Sequence, residues 1–536
     1  MMKKLIQLTF IVLATQASAQ WTSDTTANTL VAAYNADDNK SVVTSDGKTC
    51  IVFWRSIPAP QNYELRLQVL DTAGYPQLGT NGALITDSIP MSTFTQQWSL
   101  ALGNEDNLYI GVTGTNGNVG YALKVDTAGT SLWGGNGKNL GTGYLVRTLP
   151  LSGGQVIISW LDNSFNGNIQ KFNTNGSPAW PNPVALNSYV PARSFEMSDG
   201  GNITIYHNLT SGINSVQYAQ RYDANGVAQW SSLVQLFASQ YSTAYNTKYF
   251  GAQDGDTIYY SYKLSHNSRF DAFIQRINPD GTLPFGVTGV DFDASQTNFE
   301  QEIKIAIDSS SPHIWAICRY TDASQNQQGV YVQKIEKSTG QRLLGNNAKA
   351  LYALSTPGTA PDGDIQFYKS NPIFLIHQAG QLRATLLDSI GGFQWASQSK
   401  AVASLTAPKM RVGFHPLSSS SYVATFTEDK GNGSQVFAHK FSIKEPKDTS
   451  SVSISELSAP LFLQYANPIK DEVRIESNSA IKSVLICNTA GMVIYQQFNC
   501  NITDLSIDSQ QWKPGIYIIA LIGDGGNSKS IKVLKR

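Results

Sequence analysis

The chain alternates short apolar segments with polar turns along most of its length. Eight of these segments are rich in β-branched and aromatic residues: CIVFW, LYIGV, VIISW, ITIYH, IYYSY, IWAIC, IFLIH and YVATF. Short apolar runs bounded by Gly, Asn and Asp predict β-strands, and no helical apolar period appears between them. We therefore expect an all-β protein.

A hairpin motif follows seven of these strands. In the segment RYDANGVAQW, Asp223 begins a turn, Gly226 takes the positive φ and Trp230 returns on the next strand as an apolar anchor. The seven copies recur at intervals of 47 to 59 residues along the chain. Their anchors are Leu78, Trp133, Trp180, Trp230, Phe285, Leu344 and Trp395.

A period near 50 residues that holds about four short strands is typical of a β-propeller. The eighth strand is followed by QVFAHKFSIK, which resembles an incoming hairpin strand but lacks the Gly and the Trp. The missing anchor stands at the other end of the chain, where Trp21 opens the strand segment QWTSDTTANTLVA. We therefore predict a ring over residues 20–444 with eight blades, closed by the N-terminal strand. Seven blades with an irregular end are the alternative.

The N-terminus predicts export from the cytoplasm. Lys3 and Lys4 precede an apolar run over residues 5–14, and the small residues 17–19 follow it. This pattern indicates a signal peptide over residues 1–19, because the run has about half of the ~20 residues that a membrane span needs. No later segment is long enough, so we expect no transmembrane segment.

The pattern changes after a polar, Ser-rich linker over residues 445–456. Residues 457–536 form a separate run of strands and turns, which predicts a small antiparallel, Ig-like β-sandwich. This module resembles the type A sorting domain of the type IX secretion system of Bacteroidota, although Ala466 stands where that family usually has Pro. The residues that carry the resemblance are Tyr465, Asn467, Pro468, Gly491, Pro514, Gly515 and Tyr517. It implies recognition by the secretion machinery and a secreted or surface-attached protein.

The hairpin motif resembles the tryptophan-docking repeat of PQQ-like propellers, which typically have eight blades. The copy KIEKSTGQRLL keeps the four-residue spacing between acid and Gly of that family. Quinoprotein members carry an adjacent Cys pair, and no such pair exists here. The resemblance therefore implies the architecture alone, and we expect no cofactor.

Composition excludes several classes of function. The 39 basic residues equal the 39 acidic ones, so the footprint of a nucleic-acid binder is absent. Four cysteines are too few for a disulfide scaffold. Cys50 and Cys318 are expected to be buried free thiols, whereas spacing leaves the pairing of Cys487 and Cys500 open. The six histidines show no zinc spacing, so we expect no metal site, and no nucleophile motif is present.

The loops after the second strand of each blade are polar and should open on one face of the ring. Residues at equivalent positions on these loops are Arg55, Thr113, Asp162, Asn208, Lys263, Arg319, Gln378 and Glu428. Their mixed charges suit a neutral glycan or a protein loop as ligand, although an ordinary solvated surface fits them equally. We expect a non-catalytic binding or structural propeller. The alternative is an extracellular polysaccharide hydrolase or lyase acting at the same mouth.

Overall fold

The computed structural model describes residues 21–91, 98–114, 119–211, 214–244, 250–355, 358–443, 463–489, 492–523 and 528–536. Contacts divide the chain into two units, Met1–Lys444 and Glu445–Arg536. The described residues form strands and turns, and none of them builds a helix long and apolar enough to cross a membrane. The predicted signal peptide and linker lie outside the described residues.

The first unit is an eight-bladed β-propeller of antiparallel sheets, which confirms the fold prediction. The inner strands of neighbouring blades contact one another and surround the centre. From blade I to blade VIII they are β2 (Asp38–Val43), β6 (Ser99–Leu102), β10 (Tyr144–Pro150), β14 (Tyr189–Glu196), β19 (Phe250–Asp254), β23 (Phe299–Ile307), β27 (Thr359–Tyr368) and β31 (Lys409–Ser418). The second strands are β3 (Thr49–Ser56), β7 (Leu108–Thr113), β11 (Val156–Leu161), β15 (Asn202–Ser211), β20 (Thr257–His266), β24 (His313–Thr321), β28 (Asn371–Gln378) and β32 (Ser421–Asp429).

The outer half of each blade consists of a third and a fourth strand. The third strands are β4 (Tyr63–Leu70), β8 (Val119–Val125), β12 (Gly167–Phe172), β16 (Asn214–Tyr222), β21 (Arg269–Ile277), β25 (Gln328–Glu336), β29 (Gln381–Leu386) and β33 (Ser434–Ser442). The fourth strands of blades I to VII are β5 (Ala83–Thr86), β9 (Lys138–Thr142), β13 (Val184–Leu186), β17 (Val234–Gln235), β22 (Val290–Asp291), β26 (Lys349–Ser355) and β30 (Lys400–Ala403). Blade IV carries one further strand, β18 (Thr243–Ala244), beside β16.

The N-terminal strand closes the ring, as predicted. Strand β1 (Thr29–Asn35) pairs with β33 and so supplies the fourth strand of blade VIII. The indole of Trp21 extends this closure, because it donates a hydrogen bond to the Thr72 carbonyl of blade I at 3.0 Å. The chain ends of the propeller are therefore joined by a β-ladder, which removes two open strand edges.

The second strands form the core of each blade. In β3 the six residues from Thr49 to Trp54 are all buried, and every residue of β7 is buried as well. A strand covered on both faces by neighbouring blades needs a continuous apolar run, which is the pattern seen in the sequence. Cys50 and Cys318 lie in this core as free buried thiols, as predicted, and Cys487 and Cys500 are half-buried and free.

The repeated anchors connect each blade to the next. The indoles of Trp133, Trp180 and Trp230 donate hydrogen bonds to turn carbonyls of the following blade at 3.0, 2.9 and 3.1 Å. The acid of the motif stabilises its own turn, since Asp223 Oδ1 accepts hydrogen bonds from the backbone N–H groups of Asn225 and Val227 at 2.8 and 2.9 Å. Turn chemistry therefore accounts for the recurring acids, and docking accounts for the recurring tryptophans.

Gly226 shows why the turn needs glycine. Its φ is +83°, and a Cβ atom there would lie 2.9 Å from the ring of Trp180. Both the left-handed backbone and the close approach of the indole exclude a side chain.

We expect Trp180→Ala to lower the free energy of unfolding by about 3 to 5 kcal/mol, because the ring is 4% exposed and its packing is lost. Urea denaturation followed by circular dichroism measures this loss. Trp230→Ala is the matched comparison and should cost less, since Trp230 is only half-buried. A loss below about 1 kcal/mol for Trp180→Ala, the range of surface changes, would contradict the docking role.

The second unit is a small all-β module. Its strands are β34 (Leu463–Tyr465), β35 (Glu472–Asn488), β36 (Val493–Asp508), β37 (Gly515–Gly523) and β38 (Ser528–Lys535). Strand β35 pairs with β34, β36 and β37, and β38 completes the path beside β37. A self-contained core lies inside, with Val473, Ile486 and Leu521 among its fully buried residues.

Two of the residues in the C-terminal sequence pattern hold this module together. The Asn467 side chain accepts the Leu534 N–H at 2.9 Å and donates to the Lys532 carbonyl at 3.1 Å, which fastens the start of the module to its last strand. The hydroxyl of buried Tyr517 donates to the Lys513 carbonyl at 2.9 Å. Gly491 lies outside the described residues.

Candidate functional site

One face of the propeller, which we call the mouth face, carries the loops that follow the second strand of each blade. The connections from the fourth strand of one blade to the inner strand of the next open on the same face, since the strands of a blade alternate in direction. The opposite face, the turn face, carries the repeated hairpin turns around Gly226 and its equivalents. The predicted ring residues lie in the mouth-face halves of their second strands or just after them.

Some of the predicted ring residues already have partners within the propeller. Arg55 pairs with Glu64 at 2.9 Å and lies 3.8 Å from the ring centre of Tyr34. Asp162 begins a turn, because its Oδ1 atom accepts the backbone N–H groups of Ser164 and Asn166, both at 2.9 Å. Asn208, in the mouth-face half of β15, and Gln378, at the end of β28, are both half-buried.

Three other residues at the mouth-face ends of strands are buried and so cannot meet a ligand. Thr113 is 1% exposed, and the Glu428 side chain is fully buried against the Lys409 ammonium at 2.7 Å. His207 is also fully buried, with Nδ1 2.7 Å from the Ser215 hydroxyl. Interior packing against neighbouring blades explains these positions, which loop polarity in the sequence does not reveal.

Aromatic side chains form an arc across the mouth face of blades III to VI, which we call the aromatic arc. Its rings contact one another in three pairs: Tyr144 with Phe165, Tyr241 with His266, and Phe270 with Phe299, at centre distances of 6.2, 4.7 and 6.0 Å. Phe165 stands at a loop tip and is 47% exposed, and the other rings of the arc are half-buried. Partly exposed rings beside polar loops suit flat ligands such as sugars.

Charged side chains continue around the mouth on blades V to VII. Lys263 lies near the mouth-face end of β20 and Arg319 near that of β24, at equivalent positions of neighbouring blades. On blade VI, the Lys304 ammonium donates to the Gly363 carbonyl at 2.7 Å.

On blade VII, His377 Nδ1 lies 3.8 Å from Asp362 Oδ2, and both side chains are about a quarter exposed. Burial lowers the pKa of His377, whereas the Asp362 charge acts to raise it. A partly exposed imidazole beside a carboxylate can act as a general base or acid.

A cluster of carboxylates lies between blades V and VI. One oxygen from each of Asp291, Asp293 and Glu300 lies within 4.8 Å of the others. Tyr320 donates its hydroxyl to Asp293 at 2.5 Å, and Ala272 donates its N–H to Glu300 at 2.7 Å. Such oxygens could hold a hard cation such as Ca²⁺, or they can share protons. This cluster is not among the residues predicted from the sequence, although the closely spaced acids of DFDASQTNFE are a signal for it.

We expect this cluster to make the propeller less stable as the pH rises. Burial raises the pKa of Asp291 to about 7, and the charges of Asp271 and Asp293 act in the same direction. Burial likewise raises the pKa of Glu300 well above its usual range. Because the folded state keeps protons that the unfolded chain loses, this stabilising contribution is complete below about pH 4 and is lost as the pH rises through about 7.

Urea denaturation in EDTA between about pH 4 and pH 8 tests this expectation with Asp291→Asn. The variant should gain stability over the parent chain as the pH rises, and Asp87→Asn, at an exposed position, should not. Parallel stability curves for Asp291→Asn and the parent chain would contradict it.

An open groove of about 350 Å³ lies on the turn face, between residues 43–47 and 416–418. Its one carboxylate, Asp46, pairs with Lys48 at 2.6 Å. The groove therefore offers a ligand no unpaired charge and no aromatic ring.

The C-terminal module matches a known family. Residues 464–536 match the family model of the secretion system C-terminal sorting domain. The chain is thus a β-propeller protein with a type IX sorting domain, secreted or attached to the outer-membrane surface. The finer likeness of the hairpins to PQQ-like propellers stays a prediction. Comparison with curated proteins finds no match.

Several solved β-propeller structures are similar to the chain. A lectin from Burkholderia pseudomallei is 10% identical, covers 67% of this chain and 98% of its own, and has a TM-score of 0.45. The Dos1 propeller is 11% identical, with coverages of 79% and 95% and a TM-score of 0.42. A polysaccharide lyase is 11% identical, with coverages of 77% and 91% and a TM-score of 0.41. Similarity at this level says nothing about the ligand.

Proposed function

We propose that the protein is a non-catalytic binding propeller, delivered to the cell exterior by its sorting domain, and that its mouth face binds a glycan. The aromatic arc is the observation that carries this proposal. Sugar rings stack on aromatic faces, and the polar loops around the arc supply hydrogen bonds to hydroxyl groups. Arg55 is paired with Glu64, and Asp162 accepts hydrogen bonds within its own turn. The aromatic arc therefore has more groups free to contact a ligand than these two predicted residues have.

A glycan array probed with the mature full-length chain tests this proposal. We expect binding to a restricted set of glycans, weakened by Phe165→Ala because that ring is the most exposed of the arc. Ile390→Ala is the matched control, since Ile390 is an 81% exposed apolar residue on the turn face. An equal loss of glycan binding in Phe165→Ala and Ile390→Ala, or no glycan binding by the parent chain, would contradict the proposal.

The second candidate function is a polysaccharide hydrolase or lyase. The His377–Asp362 pair favours it, because a neutral imidazole held near a carboxylate is a common general base. Chromogenic glycosides and polysaccharide lyase assays, run on the parent chain and on His377→Ala, separate the two functions. Turnover that His377→Ala abolishes would establish the enzyme, whereas glycan binding without turnover supports the binding propeller.

A further inference from the structure

Two cations on the mouth face have no ion pair with any residue that the structure describes. The guanidinium of Arg319 makes no hydrogen bond and no ion pair with any residue that the structure describes, and its Nε atom is buried. Lys263 likewise has no acidic partner within the described ranges, and its ammonium lies 4.5 Å from the ring centre of Phe270. By contrast, Arg221 pairs with Asp199 at 2.7 Å and Arg269 with Asp271 at 2.5 Å.

The charges nearby do not neutralise this pair. Burial and the positive charge of Arg319 both lower the pKa of Lys263, while Glu302 opposes them from a distance beyond ion-pair contact. Asp362, the acid of the next blade, faces His377 and Lys304 instead. The local balance is thus two cations against one carboxylate. A half-buried cation without a counter-charge costs free energy that a bound anion would recover.

The surroundings indicate what kind of anion fits. Phe270 and Phe299, which belong to the aromatic arc, stand beside Lys263 and pack edge to face at 6.0 Å. A ligand that stacks on these rings places its substituents near the two cations. Arg and Lys donate charge-assisted hydrogen bonds to carboxylate and sulfate oxygens.

We propose that Lys263 and Arg319 form a subsite for an anionic group of a polysaccharide, either a uronate carboxylate or a sulfate ester, next to the aromatic arc. This inference rests on the proposed glycan-binding function and narrows its substrate class. The proposed ligand is acidic, whereas the mixed charges around the mouth predict a neutral one from the sequence. The two differ because most of those charges are paired or buried in the structure.

Calorimetric titration of the full mature chain with alginate, dextran sulfate and dextran tests the subsite. We expect tighter binding of an acidic polymer than of dextran, weakened by added salt. The double variant Lys263→Gln/Arg319→Gln should lose about ten-fold or more in affinity for the acidic polymer, because both charge-assisted bonds are removed. Lys263→Arg/Arg319→Lys keeps both charges and should retain most of the affinity. Lys48→Gln, at a partly exposed lysine of the turn face, should change nothing.

Each outcome decides a separate point. Preference for alginate identifies a carboxylate subsite, and preference for dextran sulfate over dextran identifies a sulfate subsite. Unchanged acidic binding by the folded double variant overturns the subsite. Binding of dextran alone overturns it too, but leaves the glycan-binding function standing. Binding of no polymer, together with an empty glycan array, overturns both.

Discussion

Deleting residues 20–33 is expected to make the propeller aggregate. The deletion removes most of β1, and with it the pairing of Thr29 with Ala438 and of Leu30 with Phe437. It also removes Trp21 from the Gly74 turn, where the Trp21 N–H donates to the Ala73 carbonyl at 3.0 Å. The β33 edge and the docking surface of blade I are then both open, and unpaired edges associate with other chains. Size-exclusion chromatography and thermal melting measure the effect.

A rescue variant provides the control for this deletion. In this variant a flexible linker joins residues 20–35 to the chain after Ile443. The moved strand can then pair with β33 in the antiparallel direction that β1 has in the structure. This permuted chain should be monomeric again, because the closing strand pairs with β33 even though it now follows Ile443 in the sequence. A soluble deletion variant that melts at the parent temperature would contradict closure by β1.

Glu428→Gln is expected to cost about 3 to 5 kcal/mol of stability, because it leaves the Lys409 ammonium buried without its counter-charge. The Lys409 and Glu428 side chains are both fully buried and lie 2.7 Å apart. Glu428 also accepts a hydrogen bond from the Asn28 amide at 3.2 Å, so the pair fastens the closing segment to blade VIII.

Urea denaturation compares this variant with the double variant Lys409→Met/Glu428→Leu. The double variant should recover most of the loss, because apolar side chains of similar size remove both charges together. It should not recover all of it, since Lys409 also donates to the Gly380 carbonyl at 2.8 Å. If Glu428→Gln were as stable as the parent chain, this account of the buried pair would be wrong.

Local patterns in the sequence predict the architecture because each blade repeats the same local chemistry. Each hairpin holds its own turn acid, its glycine with positive φ and its anchor, and the anchor contacts the equivalent turn of the next blade. Because these features repeat at regular intervals, their spacing in the sequence predicts them. The closure by Trp21 follows from the same repeat, since QVFAHKFSIK has no anchor of its own. Asn467 belongs to the sorting-domain motif, and its two hydrogen bonds to β38 show a structural reason for that motif.

The candidate site is less predictable because it depends on contacts between blades. Equivalent loop positions do place Lys263 and Arg319 on one face, yet spacing does not reveal that Glu428 is buried or that Arg319 lacks a partner. The carboxylates of Asp291 and Glu300 meet only because the connection from blade V returns against the inner strand of blade VI. Contacts of this kind require the ring to be assembled.

Hydrogen exchange followed by mass spectrometry tests the central claim most directly, which is that the mouth face binds a glycan. The mature chain is compared with and without whichever of alginate, dextran sulfate and dextran binds most tightly. We predict slower exchange in the mouth-face segments 162–167, 266–271 and 292–299 and unchanged exchange in the turn-face segments 223–227 and 278–282. Protection confined to the turn-face segments, or to residues 463–536, would contradict the claim.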